Sequence, residues 1–347
     1  MDLTNDRKIE HISIIDADKE VERSKHYFDA IRLKHRALPE LDLQEVDPST
    51  TFLDKKLSFP LLISSMTGGD DDILRKINRN LAIAAEAEGV ALGVGSQRVM
   101  FTNRAAKESF ELRQYAPNTL LFANLGAVQL NYGFTAEHCR QAIEVVGADA
   151  LYLHLNPLQE SVQPEGNTNF SGLARKIGAV AKELEKPIIL KEVGAGISKE
   201  DVELVLKYGI GYIDVAGTGG TSWSRIEYHR QVGSKTNNLG ILFQDWGNPT
   251  PLVLKSLQPF RDRIKIIASG GVRTGIDMVK SIILGASLCG MAFPFLKPAM
   301  DSAEEVIETI RRIKMEFVVA MFLLGVPTVE QLFGNEALIA NPDFRVY

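Results

Sequence analysis

The segment LHLNPLQE holds four side chains of different chemistry, His154, Asn156, Gln159 and Glu160. Histidine can transfer protons near neutral pH, amides can orient a substrate by hydrogen bonds, and a carboxylate can bind a metal ion. Glu160 alone is a weak metal ligand, so phosphate oxygens and water would have to complete its coordination shell. His154 lies in an apolar run, where a histidine satisfied by neutral hydrogen bonds is the alternative interpretation.

Cationic residues that could bind an anion occur in two places. Arg7, Lys8 and His11 lie near the start of the chain, and Arg98 follows an apolar run in the segment GSQR. Basic side chains pair with phosphate by charge-assisted hydrogen bonds. By themselves, Arg7 and Lys8 also fit a solvated terminal helix and Arg98 a surface ion pair. The position of Arg98 directly after a strand-like run favours contact with a ligand.

Three glycine-rich segments, GTGGT, ASGGVRTG and CGMAFP, follow late apolar runs of the chain. Glycine lets the backbone approach a phosphate closely, and Thr221 adds a hydroxyl donor. A single pair of glycines is more often a plain turn. Three such segments in consecutive units favour a phosphate site.

Lys191 ends the otherwise apolar run PIILKEV, where an unpaired ammonium would be costly to bury. A structural salt bridge to Glu192 or Asp214 is one interpretation. The others are a Schiff-base amine and a cation beside an electron-rich cofactor ring. The Ser, Thr and Asn side chains at other strand ends, such as Ser96 and Asn124, favour the cofactor ring and suit the polar edge of a flavin.

Short apolar runs alternate with amphipathic stretches from about residue 60 onward, which is typical of repeated βα units. The eight predicted strands span residues 60–66, 91–96, 120–125, 150–156, 187–193, 212–217, 264–270 and 287–293. Eight such units predict a (β/α)8 barrel, with an open doubly wound sheet as the alternative. In a barrel the carboxyl ends of the strands carry the catalytic groups.

We expect one domain over residues 1–347, with a polar helical extension at 1–59, the barrel at 60–298 and a helical tail at 299–347 that covers or pairs with the barrel. A long insertion follows the sixth strand, between Gly217 and Ile264. Ser198 and Thr274 have the residue types and positions of helix N-caps.

The net charge of −5 and a pI near 5.8, without long basic runs, argue against binding to nucleic acid or to anionic membranes. The first residues lack the apolar stretch of a signal peptide, so we expect a cytoplasmic protein. Cys139 and Cys289 have no paired spacing and are expected to be buried apolar residues.

The chain resembles type 2 isopentenyl-diphosphate isomerase, an FMN- and Mg²⁺-dependent barrel enzyme, along its whole length. The motifs RKxEH, GSQR, LHLNPLQE, LKEVG and GGTSWSRIE carry the likeness, LHLNPLQE and RKxEH most specifically. The resemblance implies a tetramer or octamer, in which Arg7 to His11 reach the barrel of the same or a neighbouring chain. Ala216 departs from the pattern, because many relatives carry serine there.

The resemblance also implies a role for each site residue. The flavin ring and ribityl chain would contact Ser65, Met66, Thr67, Ser96, Asn124 and Lys191, and the flavin phosphate would lie near Thr221, Gly270, Gly271, Arg273 and Ala292. The substrate diphosphate would bind Arg7, Lys8, His11, Ser96, Gln97, Arg98, His154 and Asn156, with Gln159 near the alkene and Glu160 on Mg²⁺.

Moving a double bond requires adding a proton at one carbon and removing one from another, and no pair of side chains is placed for both steps. Our hypothesis is that reduced FMN exchanges these protons, that Gln159, Glu227 and His154 assist, and that NADPH primes the flavin. An FMN-dependent 2-hydroxy-acid oxidoreductase and a non-catalytic flavin- or phosphate-binding scaffold are the alternatives. An IMP dehydrogenase-like enzyme would need a cysteine after the sixth strand, and that segment has none.

Overall fold

Eight parallel strands close into a barrel in chain order, and the last strand pairs with the first. The computed structural model describes residues 3–230 and 238–346, without the side chains of residues 3–7 and Ile9. The barrel strands are β3 (Leu61–Ile63), β4 (Ala91–Gly93), β5 (Leu121–Gly126), β6 (Ala150–His154), β7 (Ile188–Lys191), β8 (Tyr212–Asp214), β9 (Lys265–Ser269) and β10 (Leu288–Met291). The predicted barrel is therefore confirmed, and every predicted strand overlaps an observed one.

Helices surround the barrel. In chain order they are α1 (Leu3–Ala17), α2 (Asp72–Glu88), α3 (Ala136–Val146), α4 (Pro157–Val162), α5 (Leu173–Glu183), α6 (Lys199–Leu206), α7 (Trp223–Arg230), α8 (Leu239–Leu242), α9 (Thr250–Leu257), α10 (Gly275–Ile283), α11 (Phe293–Asp301), α12 (Ala303–Leu324) and α13 (Val329–Leu332). Ser198 and Thr274 cap α6 and α10 through capping boxes, which satisfies backbone N–H groups that the first helical turn leaves unpaired.

The helix α12 lies in the part of the chain expected to be a tail, but it packs between α2 and α10. It thereby occupies the eighth position in the outer ring of helices. Its buried side chains, among them Val306, Ile310 and Phe317, belong to the same apolar core as the barrel helices. The ring of the barrel thus extends beyond residue 298.

Residues 1–59 contain more than the predicted helix. Two short antiparallel strands, β1 (Thr50–Phe52) and β2 (Lys55–Leu57), form a hairpin whose Phe52 and Leu57 are buried with the inward side chains at the amino-terminal end of the barrel. The Phe52 ring lies 6.3 Å from that of Phe122 and 5.9 Å from that of Tyr212. The hairpin therefore covers this end of the barrel.

The amino-terminal segment then reaches the opposite end of the barrel. Helix α1 packs against α7, and Glu22 pairs with Thr221 in an antiparallel bridge. We call residues 18–23 the strap. It joins the extension to the loop after β8, beside the strand ends that carry the predicted site.

Both cysteines are buried and free, as expected, and burial raises the pKa of the Cys139 thiol to about 12. No helix in residues 3–230 or 238–346 combines the length and the apolar character needed to cross a membrane.

Candidate active site

A deep cavity opens at the carboxyl ends of the barrel strands. Most of the predicted site residues line it, namely Lys8, His11, Ser65, Met66, Thr67, Ser96, Arg98, Asn124, His154, Asn156, Gln159, Glu160, Lys191, Thr221, Gly270, Gly271, Arg273 and Ala292. The barrel topology explains this convergence, because parallel strands all deliver their last residues to one rim. The side chain of Arg7 lies outside the described residues.

Gln97 and Glu227, predicted to bind substrate and to take part in catalysis, do not line this cavity. Gln97 is fully buried, since its amide donates to the Ala142 carbonyl over 2.9 Å and accepts the backbone N–H of Asn124 over 2.9 Å. The side chain points away from the cavity and holds the backbone of Asn124 in place. Gln97 therefore cannot contact the diphosphate in this arrangement.

Asn124 links three parts of the rim. Its amide nitrogen donates to the Ser65 hydroxyl over 2.9 Å and to the Val94 carbonyl over 3.0 Å, and its amide oxygen lies 2.7 Å from Nδ1 of His154. An amide oxygen can only accept, so Nδ1 of His154 carries the proton in this hydrogen bond.

Lys191 is held by a buried acid. Its ammonium lies 3.1 Å from Asp214, and Asp214 also accepts hydrogen bonds from the hydroxyls of Tyr152 and Ser269. Asp214 has no solvent-exposed surface, and Lys191 lines the cavity. Of the two partners considered from sequence, Asp214 is the observed one.

The other candidate partner, Glu192, has a different task. Its carboxylate accepts the backbone N–H groups of residues 193, 194 and 196 at 2.7 to 2.9 Å, and that of Ala195 as well. Burial raises the pKa of Glu192 and outweighs the effect of these hydrogen bonds. Glu192 shapes the loop after β7, from which Val193 and Gly194 line the cavity.

The LHLNPLQE segment turns from β6 into α4, so that Gln159 and Glu160 lie in the first helical turns. Glu160 is buried, and its two oxygens accept hydrogen bonds from Asn156 and Gln163 over 2.9 and 2.7 Å. The amide oxygens of Asn156 and Gln163 are buried without a hydrogen-bond partner among the described residues. Carboxylate and amide oxygens are suitable ligands for Mg²⁺.

Within the described part of the chain, no cluster of three or more His, Cys, Asp or Glu side chains could hold a metal ion. A metal at Glu160 would therefore depend on amide, phosphate or water oxygens. This agrees with the expectation that a single carboxylate needs further ligands.

Glu227 lies next to Gln159 but does not line the cavity. Its carboxylate accepts from the Gln159 amide over 2.8 Å, pairs with Arg230 and lies 3.5 Å from Nε2 of His11. Burial alone would raise the pKa of Glu227, but His11, Arg230 and Gln159 together lower it to about 2. A carboxylate that stays ionised at neutral pH orients its neighbours and cannot supply a proton.

The glycine-rich segments meet at one end of the cavity. Gly270 and Gly271 have φ values of 90° and 78°, and a Cβ atom on Gly270 would lie 2.1 Å from the Gly217 carbonyl oxygen. Only glycine fits such a close approach of two backbones. Ala216, the departure noted in the sequence, lines the cavity with a φ of 36°.

Sequence reasoning missed one residue at this end. Glu22, from the strap, lines the cavity, pairs with Arg273 and accepts a hydrogen bond from the Thr221 hydroxyl over 2.8 Å. A single glutamate in a polar extension carries no signal of this placement. Only the path of the chain across the barrel brings it here.

The hydroxyl oxygens of Ser64 and Thr67 line the cavity and are buried without hydrogen-bond partners among the described residues. Buried polar atoms normally have partners, so these two fit a ligand with a polar edge. Together with the Lys191 ammonium, the Asn124 amide and the glycine cradle, they match the requirements of a flavin with a phosphate tail.

Comparison with known proteins identifies the family. The chain is 56% identical over 333 residues to an isopentenyl-diphosphate delta-isomerase of Hydrogenovibrio crunogenus, covering 96% of this chain and 97% of the relative. It is 52% identical to the enzyme of that name from Paracoccus zeaxanthinifaciens, covering 96% of each chain. The chain belongs to the isopentenyl-diphosphate delta-isomerase family. The resemblance found in the sequence is thereby confirmed.

Residues 134–340 of this family member also match the model for FMN-dependent dehydrogenases. Among solved structures, a flavocytochrome b2 variant superposes with a TM-score of 0.67 at 17% identity and covers 92% of this chain and 79% of its own. A mandelate oxidase variant gives a TM-score of 0.62 at 17% identity, covering 89% and 87%. At this identity, the structural likeness supports the fold alone.

Proposed function

We propose that the protein interconverts isopentenyl and dimethylallyl diphosphate with reduced FMN and Mg²⁺, in isoprenoid biosynthesis. Identity of 56% over nearly the whole chain to a relative named for this reaction is the observation that carries the proposal. The cavity supports it, because one rim combines a flavin-type cradle with the cations Lys8 and Arg98.

The flavin would be held as the sequence predicted. Ser65, Asn124 and Lys191 would face its ring system, and the cradle of Gly270 and Gly271 would hold its phosphate. Gln97 contributes by fixing Asn124 from behind. Backbone N–H groups near glycine suit an anion because no side chain hinders its approach.

The substrate diphosphate would bind at the part of the rim that carries Lys8, His11 and Arg98, with Mg²⁺ at Glu160. Magnesium would neutralise part of the diphosphate charge and orient it. Gln159 lies in the same cavity and would face the alkene, held in one orientation by the carboxylate of Glu227.

Reduced FMN, when bound, supplies acid–base chemistry at the reacting carbons without net oxidation, and NADPH would provide the initial reduction. The side chains of this protein would position the alkene and exclude water around it. His154, whose Nδ1 donates to Asn124, lines the cavity and would contact the substrate there. Glu227 would act through the side chains that it holds, Gln159 and His11, and is a positioning residue.

The test is an assay on the purified full chain. We expect a yellow protein that isomerises isopentenyl diphosphate after anaerobic reduction in the presence of Mg²⁺. Equal turnover with oxidised flavin under strict exclusion of reductant would contradict the mechanism. Stoichiometric oxidation of a 2-hydroxy acid with bleaching of the flavin would instead establish the oxidoreductase.

A matched pair of variants separates the enzyme from a non-catalytic scaffold. Arg98→Ala should lose most turnover while retaining FMN, because Arg98 lines the cavity. Arg140→Ala removes an exposed arginine on α3 and should change nothing. A scaffold would show no difference between the two.

Glu160→Gln tests the metal site. With one charged ligand removed, we expect the Mg²⁺ concentration for half-maximal rate to rise roughly tenfold or more. FMN binding should remain unchanged, because Glu160 is not among the residues proposed to contact the flavin. The measurement is a Mg²⁺ titration of the initial rate. A variant that is equally impaired at every Mg²⁺ concentration would show that Glu160 is not a metal ligand.

We also propose that the chain acts as one FMN-binding domain, as a cytoplasmic homo-oligomer, a tetramer or octamer. The single closed barrel with its ring of helices supports one domain. Free cysteines are usual in the reducing cytoplasm, and exposed apolar side chains such as Ile276 and Met315 suit contacts between copies. Light scattering gives the number of copies.

A further inference from the structure

Backbone hydrogen bonds join the strap to the loop after β8. Arg23 N–H donates to the Gly220 carbonyl over 3.3 Å, and Ser222 N–H donates to the Val21 carbonyl over 2.8 Å. The Arg23 guanidinium adds bonds to the carbonyls of Gly194 and Gln244. Glu22 lies in the middle of this short ladder, so its position beside the cavity is fixed on both sides.

The Glu22 carboxylate accepts a hydrogen bond from Thr221 and pairs with Arg273, two groups that would otherwise donate to a flavin phosphate. The single hydroxyl proton of Thr221 is donated to Glu22, and the Arg273 guanidinium is shared between Glu22 and the Gly219 carbonyl, which lies 2.9 Å away. All three side chains line the cavity at the end where Gly270 and Gly271 form the glycine cradle. Only about 11% of the Glu22 side chain is exposed.

A carboxylate and a phosphate cannot both accept the Thr221 proton, and they would have to share the Arg273 guanidinium. The Thr221 hydroxyl has one proton to give, and two anions around one guanidinium repel each other strongly where water is scarce. Burial raises the pKa of Glu22, although Arg273 and Thr221 oppose that effect.

We infer that Glu22 and the flavin phosphate compete for Arg273 and Thr221, so that the strap sets how strongly the protein prefers FMN over riboflavin. The inference rests on the proposed flavin site. Binding of the phosphate would turn Arg273 and Thr221 toward it and release the Glu22 side chain. Binding of the phosphate would therefore weaken the contact between the strap and the loop after β8.

The experiment compares two flavins that differ only in the phosphate. The flavin-free full chain is titrated with FMN and with riboflavin, and binding is followed by flavin fluorescence. For Glu22→Gln we expect the FMN dissociation constant to fall about tenfold, while that for riboflavin stays within about twofold. A purely structural defect would weaken both flavins together, so the ratio of the two constants reports the competition.

Glu20→Gln is the matched control. Glu20 belongs to the same strap, but its side chain is largely exposed and pairs with Arg225 rather than Arg273. We expect no change in either dissociation constant. Should Glu22→Gln fold poorly, Glu22→Asp keeps the charge on a shorter side chain and should shift the ratio in the same direction by less.

Two results would overturn the inference. Weaker FMN binding in Glu22→Gln with unchanged riboflavin binding would mean that Glu22 orients Arg273 for the phosphate. An equal shift for both flavins would mean that Glu22 acts on the fold or on the site of the flavin ring and does not compete with the phosphate. If the wild-type chain bound neither flavin, the proposed function would fail as well. If it bound FMN without isomerising the substrate, only the proposed function would fail, and the ratio would still decide the role of Glu22.

Discussion

Replacing Lys191 with methionine is expected to lower the free energy of unfolding by about 3–5 kcal/mol. The ammonium lies 3.1 Å from Asp214, which has no solvent-exposed surface, so the variant leaves a buried carboxylate without its counter-charge. The hydroxyls of Tyr152 and Ser269 would remain as its only side-chain hydrogen-bond donors in the described structure. Urea unfolding at neutral pH measures the effect.

The double variant Lys191→Met, Asp214→Asn separates stability from function. Removing both charges should restore most of the lost stability, because no uncompensated ion is left in the core. FMN affinity and turnover should stay low, since the cation proposed to face the flavin is still missing. Recovery of both stability and turnover in the double variant would show that Lys191 is only a structural ion-pair partner.

A surface pair provides the control for this experiment. Lys199 and Glu203 lie 3.6 Å apart on α6, and each is about half exposed. Lys199→Met should change stability by about 0.5 kcal/mol or less, as is usual for exposed pairs. The substitution is the same as in Lys191→Met, so the difference between the two losses of stability measures the effect of burial.

Glu227→Gln is expected to lower kcat about 100-fold with little change in FMN affinity. The neutral amide keeps the shape of the side chain but removes the charge that holds Gln159, His11 and Arg230 together. If Glu227 acts through Gln159, then Gln159→Ala and the double variant should show similar losses. Additive losses would contradict this coupling.

Glu165→Gln is the control for Glu227→Gln. Glu165 also accepts from Arg230, over 2.8 Å, but its side chain is about 39% exposed. We expect a small effect on kcat. A loss as large as that of Glu227→Gln would point to Arg230 as the important group.

The same carboxylate predicts how stability depends on pH. The pKa of Glu227 is lowered from 4.5 to about 2 in the folded protein, so its contribution to stability is present above pH 4.5 and is lost as the pH falls toward 2. The stability difference between wild type and Glu227→Gln should therefore shrink over this range. Unfolding curves recorded at several acidic pH values measure it.

Much of the candidate site was predictable from residue types at strand ends. Lys191, Asn124 and His154 end apolar runs, and the barrel sends all strand ends to one rim. Gln97 was the instructive exception. It lies between Ser96 and Arg98, which both line the cavity, yet its side chain turns inward to Asn124 and Ala142. Adjacent residues in a tight turn point in different directions, and sequence proximity does not show which.

The eight βα units, the capped helices α6 and α10, the glycine-rich segments at the strand ends and the family were predictable from local patterns and motifs. The partner of Lys191, the place of α12 in the ring, the contact of the β1–β2 hairpin with the barrel and the position of Glu22 depend on the folded structure. These features join residues far apart in the chain. Their energies come from burial and pairing, which exist only once the barrel has closed.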